Sequence, residues 1–372
     1  MADLRTVLVL GGGGWVGSAL VLELLQRRVL VEAQLDVTDA SAVCGLVERF
    51  PPTAVFNLAA AIDVRPEAPA VRLEEVNAQA PRNLAKAAAG AGAVTFIHVS
   101  TLDVSYAGRG HRNQAPQPPE DLQLTSPIAY VRSKARGERF LADVVRGLSS
   151  MNTVVLRISR DLQLTSPIAY VRSKARGERF LADVVRGLSS MNTVVLRPGH
   201  IYAPLEGTAR CAGDALAGFL RRFPPMQIGC PSVQMSMVSV ETVVEAALRA
   251  AQRASQCRGR CLALKDLDAN FFRFYHDCIL GRRMWPLRVP GVLVLLGAGL
   301  CDGWYWLVRW LPCWLPLPAC LRTRHAIQNF CVQGTGQALV DLTIDDAETL
   351  RCLGDYRRSA GLARGPVEKR LV

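Results

Sequence analysis

The chain has 372 residues, half of them apolar and 20% charged, with a formal net charge of +12. That length supports one large α/β domain or two lobes around a sizeable core, and the composition excludes a disordered chain. The excess Arg and Lys are spread along the chain without a basic stripe or an aromatic–basic module. This argues against nucleic acid and leaves an anionic cofactor or an anionic membrane surface to explain the charge. Eleven cysteines without a repeating framework suit reduced thiols in a cytosol-facing protein. Cys257 and Cys261 have no His or Cys partners at zinc-like spacing, so no metal site is expected.

The Met1 start runs straight into "TVLVL" with no basic and apolar leader, so no secretory signal is expected. Thr6 to Leu10 reads as a buried strand, "GGGGWVG" as a turn, and "SALVLELLQRR" as an amphipathic helix. Gly11, Gly14 and Gly17 fall at a GxxGxxG spacing: a tight turn, backbone approach to a pyrophosphate, and close helix–strand packing. The helix N-terminus adds N–H donors and a partial positive charge for the phosphates. Only "VLVEAQLDVTD" separates this helix from the next, which leaves little room for a second strand and none for a second crossover. Glu32 is the one acid there before Asp36. Buried strands follow at "AVFNLAAAIDV" and "VTFIHVST", separated by helical stretches. The alternation predicts a parallel, doubly wound Rossmann-type sheet with its ligand at the carboxyl edge of the strands.

After Ser100 and Thr101 a Pro-rich loop leads to a helix beginning near Ser126–Pro127, and Tyr130 and Lys134 lie one turn apart on it. A free tyrosine titrates near pH 10, and a nearby ammonium should bring it toward neutrality as a general base. A hydroxyl from Thr101 or Ser100 would hold the substrate oxygen. The motif recurs: Asp121 to Arg157 is identical to Asp161 to Arg197, a 40-residue period that places a second pair at Tyr170 and Lys174. Two units are too few for a solenoid, and the repeat reads as a recent duplication of one element pair or as a fault in the gene model. Spacing to Thr101 favours the first copy; continuity of "TVVLR" into "PGHIYAP" favours the second, which is the one expected in the sheet.

These motifs together resemble the extended short-chain dehydrogenases/reductases, and most closely their 3β-hydroxysteroid dehydrogenase/isomerase branch. "VLGGGGWVG" is similar to the family's glycine turn, "DVTD" to its adenine-side motif, "NLAA" to its HxAA with Asn57 for His, and "YVRSK" to its Tyr–Lys motif. "LRPGHIYAP" resembles LRPxxIYGP with Ala203 for Gly. The resemblance implies Tyr170, Lys174, Tyr130, Lys134, Thr101 and Ser100 as the catalytic candidates. It implies Gly11, Gly14, Trp15, Val16, Gly17, Asp36, Val37, Ala59, Ala60, Asn77, Pro198 and Ile201 as the cofactor-binding ones. NAD is the implied cofactor; Arg27 and Arg28 keep NADP open. The implied activity is oxidation of a sterol 3β-hydroxyl, with reduction or epimerisation of another alcohol as the alternative, together with a nucleotide-binding relic that has lost catalysis.

The expected organisation is a nucleotide-binding domain over 1–204 and a smaller, mostly helical substrate lobe over 205–372, interleaved with the last sheet elements. Val289 to Leu321 is apolar except for Asp302 and Arg309 and contains Trp304, Trp306, Trp310 and Trp314. Clustered Trp beside Arg fits a membrane interface. Association with a cytoplasmic-facing membrane, the endoplasmic reticulum first, is therefore expected; a homodimer stays open.

Overall fold

The computed structural model describes residues 4–32, 35–62, 70–106, 109–119, 122, 124, 126–144, 191–202, 224–310 and 338–359. The glycine turn links β1 (Thr6–Leu10) to α1 (Trp15–Gln26), as the residue pattern predicts. The large sheet also contains β2 (Leu30–Glu32), β3 (Ala54–Asn57), β4 (Thr95–Val99), β6 (Asn192–Pro198) and β10 (Cys261–Leu264). Its order is β10-β6-β4-β3-β1-β2, and every pairing is parallel. The order reverses at β1, so a crevice opens at the carboxyl ends between β1 and β3. The short stretch after α1 forms a three-residue edge strand, and no described strand lies beyond β2 on that side.

Both faces of the sheet are covered. Val7, Val9, Phe56, Ile97, Val194 and Leu196 pack on one side with Leu20 and Leu24 of α1 and the buried face of α6 (Val240–Gln252). Leu8, Leu10, Val55, Phe96 and Val195 pack on the other with α2 (Ala40–Arg49), α4 (Ala80–Gly90) and Leu141 and Val144 of α5, the helix over 129–144. α3 (Ala70–Glu74) leads into α4 through a π turn over Glu75–Gln79. Strands buried on both faces need apolar side chains at consecutive positions, which is why "TVLVL" and "TFIHV" carry no polar alternation.

A second sheet lies over the carboxyl edge. It joins β5 (His111–Gln114), β7 (His200–Tyr202), β9 (Met235–Ser239), β11 (Leu267–Ala269) and β13 (Leu342–Ile344). A two-stranded pair joins β8 (Gln227–Ile228) to β12 (Arg288–Val289). α7 (Phe271–Arg273) with a π turn over Phe274–Ile279, α8 (Gly291–Trp310), α9 (Ala347–Leu353) and α10 (Tyr356–Ser359) complete the described elements. The halves of the chain interleave: β10 from the C-terminal half completes the large sheet, and β5 from the N-terminal half enters the small one.

The duplication is resolved in a way the residue pattern did not predict. The helix against the sheet is the first copy's, over 129–144, whereas the strand beside β4 is the second copy's, β6. The expectation that the second copy fills the sheet therefore holds for the strand and fails for the helix. Identical segments make identical local contacts, so only chain connection separates the alternatives. Tyr170 and Lys174 lie outside the described residues.

α5 and β6 are separated by residues 145–191. Deleting 145–184 removes one period, 40 of the 372 residues, and leaves 332; the product is the same polypeptide as deletion of 121–160. It shortens the connection from 47 to 7 residues, which lowers the loop-closure cost by about 1.5 kcal/mol. The 332-residue chain is expected to melt several degrees higher and to aggregate less in a thermal scan. An unchanged or lower transition would show that the extra period packs productively.

Candidate active site

The parallel sheet brings four motif-bearing turns to one edge: Gly11 to Gly17 after β1, Leu58 to Ile62 after β3, Ser100 and Thr101 after β4, and Gly199 after β6. Gly11 has φ +81°, and a Cβ there would lie 2.7 Å from the Ala59 nitrogen. A Cβ on Gly17 would lie 2.0 Å from the Gly11 oxygen. Both glycines are therefore required by close backbone approach. The N-cap of α1, Gly14, has no side-chain cap bond, and the first turn holds no acid. Neither the cap nor the first turn thus brings a carboxylate to its leading N–H groups, and nothing lies within 4 Å of a Cβ built on Gly13. That cradle fits a dinucleotide pyrophosphate. Trp15 and Val16 open the helix beside it, half-buried.

The segment after β2 carries Asp36 and Val37. Asp36 Oδ1 accepts from the Thr38 nitrogen at 3.0 Å and from Thr38 Oγ1 at 2.7 Å, and these bonds hold its carboxyl below the usual range. Val37 is buried under the turn. Arg27, a candidate for a 2′-phosphate, pairs with Glu23 at 2.8 Å. Arg28 turns the chain into β2 at φ 59°.

Asn77 ties the two sides of the crevice together. Fully buried in the π turn, it accepts from the Ala61 nitrogen at 3.0 Å and donates to the Ala61 oxygen at 2.8 Å and to Ser133 Oγ at 3.0 Å. Ser133 Oγ donates to the Tyr130 carbonyl at 2.8 Å. Asn77 thus fixes the loop that carries Ala59 and Ala60 against the helix that carries Tyr130 and Lys134. Gly137 permits this contact, since a Cβ there would fall 2.0 Å from the Asn77 oxygen.

Tyr130 and Lys134 are both buried on α5, and Lys134 Nζ donates to the Val99 carbonyl at 3.2 Å, directly below Ser100. Burial lowers Lys134 to about 8, opposed by Glu138 one turn further on. Burial, with the Asp103 carboxylate beside it, holds the Tyr130 phenol above its ordinary range. The expected lowering of the tyrosine by its lysine is thus corrected: burial and then Asp103 act on the phenol, both upward, while the Lys134 ammonium is engaged by the Val99 carbonyl. Thr101 Oγ1 donates to Asp103 Oδ2 at 3.1 Å and caps the short helix over Leu102–Ser105. Burial pushes Asp103 up to about 6 against that hydrogen bond. Ser100 Oγ is buried without a protein partner.

Four further residues join the site without having been expected. Asp103 follows the strand end. His98 is fully buried, with Nδ1 3.2 Å from Asn57 Nδ2; desolvation and Lys134 keep it neutral. Glu138 and Arg197 form a buried ion pair. Only Glu138 had a usable signal in the chain, four residues after Lys134 on the same face.

Fold and site define an α/β protein with a doubly wound parallel sheet and a glycine turn at its carboxyl edge. Residues 5–164 match the family described as the RmlD substrate binding domain. No curated protein matches the chain. Among solved structures, the chain is similar to dTDP-4-dehydrorhamnose reductase from Bacillus anthracis str. Ames in complex with NADP. The identity is 16%, covering 78% of this chain and 86% of that one, with a TM-score of 0.53. A dTDP-4-dehydrorhamnose reductase from Clostridium acetobutylicum ATCC 824 gives 16%, 77% and 83% coverage, and 0.53. The protein gox2253 gives 15%, 98% of both chains, and 0.58. At these identities the likeness is one of fold.

A buried lysine costs stability wherever it is charged. Its proton is bound less tightly in the folded state, at about 8, than in the unfolded chain near 10.5. The penalty is therefore complete below pH 8 and fades as pH rises from 8 to 10.5. Lys134→Met is expected to melt higher than the parent at pH 7, and the gap should narrow between pH 8 and 10. A destabilised variant with a constant gap would show that the Val99 carbonyl and Glu138 together outweigh the cost of burying the ammonium.

Proposed function

We propose that the protein is a nicotinamide-dependent oxidoreductase that interconverts a carbonyl and an alcohol, with Tyr130 as the proton donor and acceptor. The observation that carries this reading is the buried Tyr130–Lys134 pair beside the Ser100–Thr101 strand end, on the edge that holds the glycine cradle. Gly11, Gly14, Trp15, Val16 and Gly17 would hold the cofactor's pyrophosphate; Asp36 and Val37 would line its adenosine end. Ala59, Ala60, Pro198 and Ile201 would border the rest. The cofactor supplies or accepts a hydride when bound.

The protein's own part is proton handling. A phenol held above its ordinary range is protonated at neutral pH, the form that gives its proton to a carbonyl oxygen in reduction and is regenerated in oxidation. Lys134 keeps a positive charge below about pH 8 and stabilises negative charge as it develops on the phenol oxygen. Thr101 or Ser100 orients the substrate oxygen. The match over 5–164 and the fold favour a reductase or epimerase of the kind that acts on a nucleotide-linked sugar.

A second reading, the sterol alcohol, has one observation in its favour. Tyr130 belongs to an apolar cluster with Tyr106, Tyr202, Phe271, Phe272 and Tyr275, a wall suited to an apolar ring system. The test is a substrate panel of dTDP-sugars and 3-hydroxy- and 3-ketosterols against NADH and NADPH. Tyr130→Phe is expected to lower kcat at least 100-fold with cofactor fluorescence quenching retained, and Tyr170→Phe to leave turnover near the parent's. The reverse pattern would move the pair to the second copy. Turnover undiminished in the double variant would overturn the proposed role, and cofactor binding without turnover on any substrate would favour the relic.

We also propose that α8 lies on an anionic membrane surface. Val292, Leu293, Leu296 and Leu300 are exposed on it, and Trp285 and Leu287 precede it beside exposed Arg283 and Arg288. Among the described residues no helix is long and apolar enough to cross a membrane, so the contact would be interfacial. The full chain should sediment with phosphatidylserine vesicles and less with phosphatidylcholine ones. Leu293→Glu with Leu296→Glu should abolish this; equal binding would exclude α8 as the anchor.

A further inference from the structure

We propose that Glu138, locked to Arg197, is a positioning residue that sets the rotation of α5 and supplies the counter-charge for Lys134. This rests on the reading of Tyr130 and Lys134 as the proton-handling pair. Tyr130, Lys134 and Glu138 are spaced four residues apart, so they line one face of α5. Burial increases along that face, from 8% exposure at Tyr130 to 1% at Lys134 and 0% at Glu138. Glu138 is fully buried, and Arg197 Nε lies 3.1 Å from each of its carboxylate oxygens. Arg197 Nη1 donates to the Gln117 carbonyl at 2.6 Å, and Cys261 Sγ lies 4.0 Å from Glu138 Oε2. One carboxylate thereby joins α5 to β6, to β10 and to the loop that enters the helix.

Rotation of α5 is fixed from two directions. On one side Gly137 is pressed against the Asn77 backbone; on the other Glu138 reaches Arg197. A bidentate pair sets angle as well as distance, which a point contact does not. Among the described residues, the remaining groups around Lys134 give it no anion. Val99 offers a neutral carbonyl, and His98 of β4 is neutral. Asp103 lies beside Tyr130, and Arg197 of β6 and Cys261 of β10 lie against Glu138. Glu138 is the charge that opposes the effect of burial on Lys134.

A purely structural ion pair would hold the fold and leave the titration of Lys134 alone, so the experiment reads both. Glu138→Gln by itself strands Arg197 in the interior and is expected to unfold easily. The working variant is therefore Glu138→Gln with Arg197→Met in the full chain, which removes both charges and keeps the volume. Two measurements are made on it and on the parent, both carrying Lys174→Arg so that the twin peptide of the second copy bears no competing lysine: the pH dependence of Lys134 labelling by an amine-selective reagent, read by mass spectrometry without cofactor, and the pH profile of kcat. The expected result is a folded protein whose Lys134 reacts at a pH about one unit lower, roughly a tenfold change in proton affinity. NADH affinity should stay within threefold, and the alkaline limb of kcat should shift to the same extent. A folded variant with unmoved Lys134 reactivity overturns the proposal. If the parent has no turnover on any substrate, the labelling shift still decides the role of Glu138, and the failure belongs to the reading of function.

Discussion

A lysine and a glutamate buried one turn apart beneath a parallel sheet impose the constraint on which the rest of the site depends. Neither charge can remain inside without a partner. The glutamate finds Arg197 at the end of β6, and the lysine finds the Val99 carbonyl at the end of β4. These contacts seat α5 across two strand ends at once, so the helix cannot slide or turn without exposing a charge to hydrocarbon. Tyr130, one turn above Lys134, is delivered to the crevice as a consequence. The site's geometry follows from where charges can be buried.

The same seam explains the electrostatics. Burial raises the phenol and Asp103 and lowers the lysine, so each group is pushed toward its neutral form. Such a site holds protons on the tyrosine and gives up charge on the lysine more readily than a solvent-exposed pair would. Reduction of a carbonyl uses a protonated tyrosine directly, whereas oxidation of an alcohol must first remove that proton. A charged cofactor bound at the glycine cradle would act on this balance through the same low-dielectric interior.

The duplication shows how the chain tolerates a redundant segment. Its helix slot is filled from one copy and its strand slot from the other, and the ion pair Glu138–Arg197 joins the two. Because both copies carry the same residues, either slot could be filled by either copy with the same contacts. Chain connection is what differs, and its energetic weight grows only logarithmically with length. An insertion that keeps one complete helix and one complete strand in register leaves the core intact.

By itself the sequence determined the glycine turn, the parallel alternation, the short nucleotide side and the Tyr–Lys spacing. Each of these is a local pattern: backbone approach needs glycine, two-sided burial needs consecutive apolar residues, and a helical face needs a four-residue step. The tertiary structure alone decided which copy supplies the helix, because identical residues carry no local preference. It also decided the protonation of the pair, since proximity in sequence predicts a lowered tyrosine while desolvation, a property of the surrounding fold, raises it. Arg197, His98 and Asp103 were illegible for the same reason. Their roles come from strands and a turn that meet at one sheet edge from positions far apart in the chain, and only the packed sheet brings them within reach of Lys134 and Tyr130.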